Sequence, residues 1–148
     1  METLYLVGPP GSKLNERRAV DLAHLAKLPM VLPGPKQGLR KLLEEAARKA
    51  GIELRLAVEA EALPTLRDLA ARDLGHTVLP YTAVHEQVRA KVLRVAPITR
   101  PTITRQLELS RSIVRPSTNA VRRFTDILKL EVLRLLSERH WRGEALVR

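Results

Sequence analysis

The spacing of apolar residues along this chain switches repeatedly between strand-like and helix-like periods. Leu4-Tyr5-Leu6-Val7 is a short apolar run closed by Gly8-Pro9-Pro10-Gly11, the pattern of a strand entering a turn. Residues 14–27 are mixed and weakly helical. Pro29 to Leu32 predicts a second short buried strand, stopped by Pro33-Gly34-Pro35. In the next segment Leu39, Leu42, Leu43, Ala46, Ala47 and Ala50 fall on one helical face, with charged residues opposite and Gly51 placed for a left-handed cap. Ile52, Leu54, Leu56 and Val58 then alternate with Glu53, Arg55 and Ala57, as in a strand.

The alternation continues to the end. A helix is predicted over Leu63 to Arg72, a turn over Asp73 to Gly75, and a strand over Thr77 to Leu79 stopped by Pro80. A short helix follows over about Ala83 to Ala90. Leu93 to Ile98 and Leu107 to Val114 are strand-like, separated by the turn-rich Thr99 to Thr104. Ser117 is the expected N-cap of a long helix reaching about Glu138 and carrying Val121, Phe124, Ile127, Leu128, Leu135 and Leu136. Alternating strand and helix predicts an α/β fold with a largely parallel sheet covered on both faces.

Composition narrows the class. With 148 residues and 45% apolar content the chain suits one ordinary globular domain, with a core of Leu, Val, Ile and Ala because aromatics are only 3%. Cysteine is absent, which excludes disulfides and thiolate metal sites. No apolar run approaches the roughly 20 residues of a membrane helix, and Met1-Glu2-Thr3 lacks a signal-peptide plan. A cytoplasmic protein without membrane contact is the expectation. The net charge of +10 invites a nucleic-acid reading, but the excess is spread: four in residues 1–50, one in 51–100, five in 101–148. Base-stacking aromatics are missing too. Charge alone therefore does not make this a DNA-binding chain.

No catalytic constellation emerges. Gly8-Pro9-Pro10-Gly11-Ser12-Lys13 begins like a phosphate loop, but Lys13, Leu14 and Asn15 stand where Gly, Lys and Ser or Thr are required. His24, His76, His85 and His140 share no metal-ligand spacing, and Arg89 stands where a zinc-protease helix opening at His85-Glu86 needs its second His. No Gly-x-Ser-x-Gly elbow exists. Glu59 and Glu61, two apart near a strand end, make a poor acid–base pair. Neither a metal nor another cofactor is expected.

Open α/β sheets bind ligands outside the carboxyl ends of their parallel strands. Three such ends stand out: Leu32-Pro33-Gly34-Pro35 leading to Gly38, Val58-Glu59-Ala60-Glu61, and Leu79-Pro80-Tyr81-Thr82. The helix opening near Gly38 would offer free N–H groups and a positive dipole end to an anion. By spacing alone these are equally ordinary strand-to-helix turns.

The residues at these turns carry a resemblance. The stretch ALPTLRDLAARDLGHTVLPYTAV, residues 62–84, resembles the effector-binding domain of LysR-type transcription regulators. The flanks agree in order: MVLPGP, GLRKLLEEAARKAGI and ELRLAVEA before it, VLRVAPITRPTITRQLELSRS and STNAVRRFTDIL after it. The resemblance spans roughly residues 3 to 130. Two positions depart from it. Asp73 replaces the first of two turn glycines, leaving Gly75, and Lys91 follows Arg89-Ala90 where the family has glycine.

What the resemblance implies is a periplasmic-binding-protein-like domain of two lobes with a small-molecule effector between them. Residues 12–98 would form one near-complete lobe, 1–11 a crossover strand and hinge, and 99–148 the returning strand and closing helix of a second, mostly missing lobe. The effector, an anion being the kind that suits the helix start, would meet Leu32, Pro33, Gly34, Gly38, Glu59 and Pro80. DNA would be bound only through a winged helix-turn-helix absent from this chain. Elements without neighbours would favour a homo-oligomer. The implied function is effector sensing for a transcription regulator, without enzymatic activity. A stand-alone binding module of the same fold, or a small α/β enzyme acting on an acidic substrate, are the alternatives.

Overall fold

The computed structural model describes residues 1–110, 112, 114, 117–138 and 141–145. Seven strands and four helices follow one another: β1 (Glu2–Gly8), β2 (Val20–Asp21), β3 (Pro29–Leu32), α1 (Gly38–Lys49), β4 (Arg55–Glu59), α2 (Leu63–Ala71), β5 (Thr77–Pro80), α3 (His85–Arg89), β6 (Arg94–Thr99), β7 (Thr104–Arg105) and α4 (Asn119–Ser137). Short 3-10 turns cover Leu22–Lys27 and Tyr81–Ala83.

β1 is the reversed spine of the sheet. It pairs antiparallel with β5 on one side and β6 on the other, and β2 lies parallel to β6. β3 and β4 pair in parallel, and β3 joins β5 through Val31 N–H to His76 C=O and His76 N–H to Pro29 C=O, both 2.7 Å. The spatial order is thus β4-β3-β5-β1-β6-β2, with β1 alone running against the rest. A mostly parallel sheet, as the alternating pattern predicts, results.

Period-two alternation sorts the core into two layers. Leu4, Leu6, Met30, Leu32, Val78 and Ile98 point to one face, where they meet Leu43 of α1 and Leu22 and Leu25 of the first 3-10 turn. Val7, Val31, Leu79 and Val95 point to the other, against Leu66 and Ala70 of α2 and Val84. A one-residue slip of any strand would exchange these sets, so burial on both faces fixes the register.

Several local expectations hold for stated reasons. Gly51, beyond the α1 C-cap, has φ +67°, and Asp73 and Gly75 carry φ of +61° and +147°. Lys91 occupies the left-handed position after α3 at φ +59°. Asp73 and Lys91 therefore keep the backbone that glycine would adopt with less strain. Three expectations are corrected. Residues 14–27 form β2 and a 3-10 turn, because Asp21 accepts the Ala23 N–H at 3.0 Å and starts the turn there. Thr118, not Ser117, caps the long helix, its hydroxyl accepting the Val121 N–H at 3.3 Å. Among the described residues of 107–114 there is no strand; the return pairing is made earlier, by Thr104 and Arg105 with Thr3 and Glu2.

α4 buries little. Thr125 is its one buried residue among those described, whereas Val121, Phe124, Ile127, Leu130 and Leu133 are exposed, Phe124 at 66%.

Candidate functional site

Because β3, β4 and β5 run the same way, their carboxyl ends come together at one edge. Leu32 pairs with Glu59 at the last rung of β3 and β4, and the Ala60 N–H donates to the Leu32 carbonyl at 3.1 Å. Pro33 and Pro80 both line a hollow of about 220 Å³, joined by Gln37, Leu39, Glu61 and Arg105. Leu32 itself is buried beneath, at 1% exposure. Gly34 closes a turn to Gln37 and lies under the Glu61 carboxylate, while Gly38 begins α1 with open space where a side chain would project. Glu59 faces Arg40 at 4.0 Å outside the hollow. The structure thus brings Pro33 and Pro80 into one wall, sets Gly34 and Gly38 at its margin, and leaves Glu59 and Leu32 outside the lining.

Three polar lining groups escaped the sequence reading as ligands. Gln37 stands at the α1 N-cap without capping it; its amide donates instead to Glu61 at 3.1 Å. The first-turn N–H groups of α1 thereby stay without a side-chain acceptor. Arg105, from β7, donates through Nε to Glu2 at 2.7 Å. No local pattern could have joined residues 2 and 105; only the β1–β7 register does. Glu2 is 2% exposed, and Thr82 and Trp141 also donate to it. Its buried carboxylate orients Arg105, whose terminal guanidinium nitrogens make no hydrogen bond among the described residues.

The C-terminal segment closes this edge. Gly143 bridges Glu2, and the Arg142 guanidinium lies 3.4 Å from the Tyr81 ring centre while donating to Glu16 at 2.8 Å. Among the described residues, no group of three or more His, Asp or Glu could hold a metal ion. A hollow of 220 Å³ lies below the usual 300–1,000 Å³ of small-molecule sites, as one wall of a larger cleft would.

Residues 1–132 match the LysR substrate binding domain. The chain belongs to this family. The transcriptional regulator BbuR of Bordetella bronchiseptica is 31% identical over 149 residues, which take in 99% of this chain and 45% of BbuR. The crystal structure of HinK, a LysR family transcriptional regulator from Pseudomonas aeruginosa, superposes with a TM-score of 0.69 at 18% identity, covering 84% of this chain and 43% of HinK. The effector binding domain of QuiR in complex with shikimate gives 0.59 at 19% identity, covering 68% of this chain and 46% of that domain. The chain spans less than half the length of each of these relatives. At such identities the solved structures establish the fold: a LysR effector domain, periplasmic-binding-protein-like, with a mixed α/β, mostly parallel sheet. As a LysR substrate binding domain, the chain presents its hollow at the strand ends where such sheets take ligands.

Proposed function

We propose that this chain is the effector-sensing lobe of a LysR-type transcription regulator and that its ligand is a small organic anion. The hollow at the carboxyl ends of β3, β4 and β5, in a chain of this family, carries the reading. Arg105 supplies a planar fork for a carboxylate, the α1 start adds N–H groups, and Leu39, Leu66, Leu79 and Pro80 offer an apolar floor. Pro33, Gly34 and Gly38 shape the wall, with Leu32 beneath it and Glu59 at its outer margin. The ligand complex of QuiR makes a small carboxylate the first chemistry to try. A ligand held here shifts the balance between lobe positions, and that shift is the signal. DNA contact belongs to a separate domain, in a cytoplasmic homo-oligomer; the lobe itself binds and does not catalyse.

The test is titration of the labelled protein with shikimate and related carboxylates, followed by amide shifts and by a parallel turnover assay. Shifts at Gln37, Glu61 and Leu79 that vanish in Arg105→Ala, without turnover, support the reading. Turnover lost on replacing Glu59 or His76 would replace sensing with an enzyme. Tight, sequence-selective DNA binding by this chain alone would overturn the division of labour.

A further inference from the structure

A larger cavity lies at the other end of the sheet. It measures about 980 Å³ and is framed by the Pro9–Asn15 loop after β1, the entry into β3 and the turn before β5. It opens at the amino ends of the parallel strands, whereas the hollow at Pro33 and Pro80 opens at their carboxyl ends. The two sites share no residue.

Its chemistry is specific. Leu14, Val20, Leu28 and Ala71 give it an apolar wall, and Lys13, Arg18 and Arg72 bring three cations to its lining. None of the three is ion-paired among the described residues. Of the two lining carboxylates, Asp21 is already held by Arg100 at 2.7 Å and by the Ala23 N–H at 3.0 Å. Asp73 alone remains against three cations, so the field favours an anion. Ser12 Oγ and His76 Nδ1, on lining residues, are shielded from solvent and lie behind the cavity surface, so its recognition rests on the cations and the apolar wall. The His76 ring is fixed in place, packed so closely on Gly8 that a Cβ there would lie 2.6 Å from its Cδ2.

We infer that this cavity is a second ligand site, for a small organic anion with an apolar body, separate from the cleft that defines the family. The apolar part lies on Leu14, Val20 and Leu28, and the anionic head meets Arg18 and Arg72. β1 and β5 run between the two sites, so both ligands rest on the same strands.

The test uses the full 148-residue chain, isotopically labelled, at pH 7.5. The probes are 2-naphthoate and phenyl phosphate, with neutral 2-naphthamide as control. The expected result is amide shifts at Ser12, Asn15, Ala71 and His76 with either anion and none with the amide. In Arg18→Glu/Arg72→Glu, whose exposed side chains leave the fold unchanged, Kd rises at least about tenfold. Response to both anions identifies charge as the requirement; response to one selects carboxylate or phosphate as the head group. The site is refuted by shifts confined to Gln37, Glu61 and Leu79, by equal binding of the neutral amide, by a Kd unchanged in the double variant, or by no shift up to about 10 mM of either anion. Because Arg105→Ala leaves this cavity untouched, failure here and failure of the cleft are distinguishable.

Discussion

The carboxylate of Glu61 stands where a side chain on Gly34 would begin: a Cβ built there lies 2.1 Å from Glu61 Oε1. The obstacle is the far end of a flexible, exposed side chain, not backbone. Gly34→Ala is therefore expected to change unfolding free energy by no more than about 0.5 kcal/mol, because Glu61 swings away. The same swing breaks the Gln37–Glu61 hydrogen bond and reshapes the hollow. Denaturant unfolding together with the Gln37 side-chain amide resonance checks both halves; a loss above about 2 kcal/mol would show that Glu61 is locked.

Glu2 ties three distant segments together through Arg105, Thr82 and Trp141. Removing its charge strands Arg105, which is one-third exposed, so solvent takes up part of the loss. Glu2→Gln should cost about 1–3 kcal/mol. Trp141 is the one tryptophan of the chain, which makes its emission a direct report. A red shift accompanying the loss is expected; unchanged emission would mean that the indole is not held by this carboxylate.

Backbone strain separates two positions that look alike in sequence. At Gly75 a Cβ would meet the Pro29 carbonyl oxygen at 2.8 Å, and φ is +147°. Gly75→Ala should cost at least about 1–3 kcal/mol. Lys91, exposed at φ +59°, is the converse case. Lys91→Gly relieves about 1–2 kcal/mol of left-handed strain and returns about 0.4–1 kcal/mol to the unfolded chain, for a net change between about zero and a gain of about 1.6 kcal/mol. Thermal unfolding of both variants decides; a destabilised Lys91→Gly would contradict the strain argument.

Burial holds the His76 imidazole below its ordinary pKa, partly opposed by Asp73. The folded state therefore favours neutral His76. As pH falls below about 6.5 the unfolded chain takes up a proton that the folded chain refuses, and stability declines until pH passes the folded pKa. Above that window the group contributes no pH dependence. Stability curves from pH 7.5 to 5 should fall in the wild type and fall less in His76→Gln; parallel curves would assign the decline elsewhere.

Much of this fold was legible because burial on two faces writes both periods clearly. The α1 face at Leu39, Leu43 and Ala47 and the Leu4–Val7 run each announce one element. Legibility ended where pairing is non-local. The Glu2–Arg105 contact, 103 positions apart, left no mark on either neighbourhood. Arg105 consequently went unread as a lining residue, while the strand-end turns singled out Pro33 and Pro80, which line the same hollow. Glu59, singled out by the same strand-end reasoning, lies outside the hollow and 4.0 Å from Arg40. The Pro9–Asn15 loop failed as a phosphate loop, and its role as a cavity wall depends on His76 and Arg72, which only the sheet brings near. For the closing helix the sequence showed an apolar stripe, and the resemblance implied that it would lack a neighbour; Phe124 and Ile127 are exposed accordingly.

Met1 and Glu144 are hydrogen-bonded to each other in both directions, the Glu144 N–H reaching the Met1 carbonyl at 2.8 Å. Residues 143 positions apart are thus clasped side by side, so the start of β1 cannot peel away without first parting from the far end of the described chain.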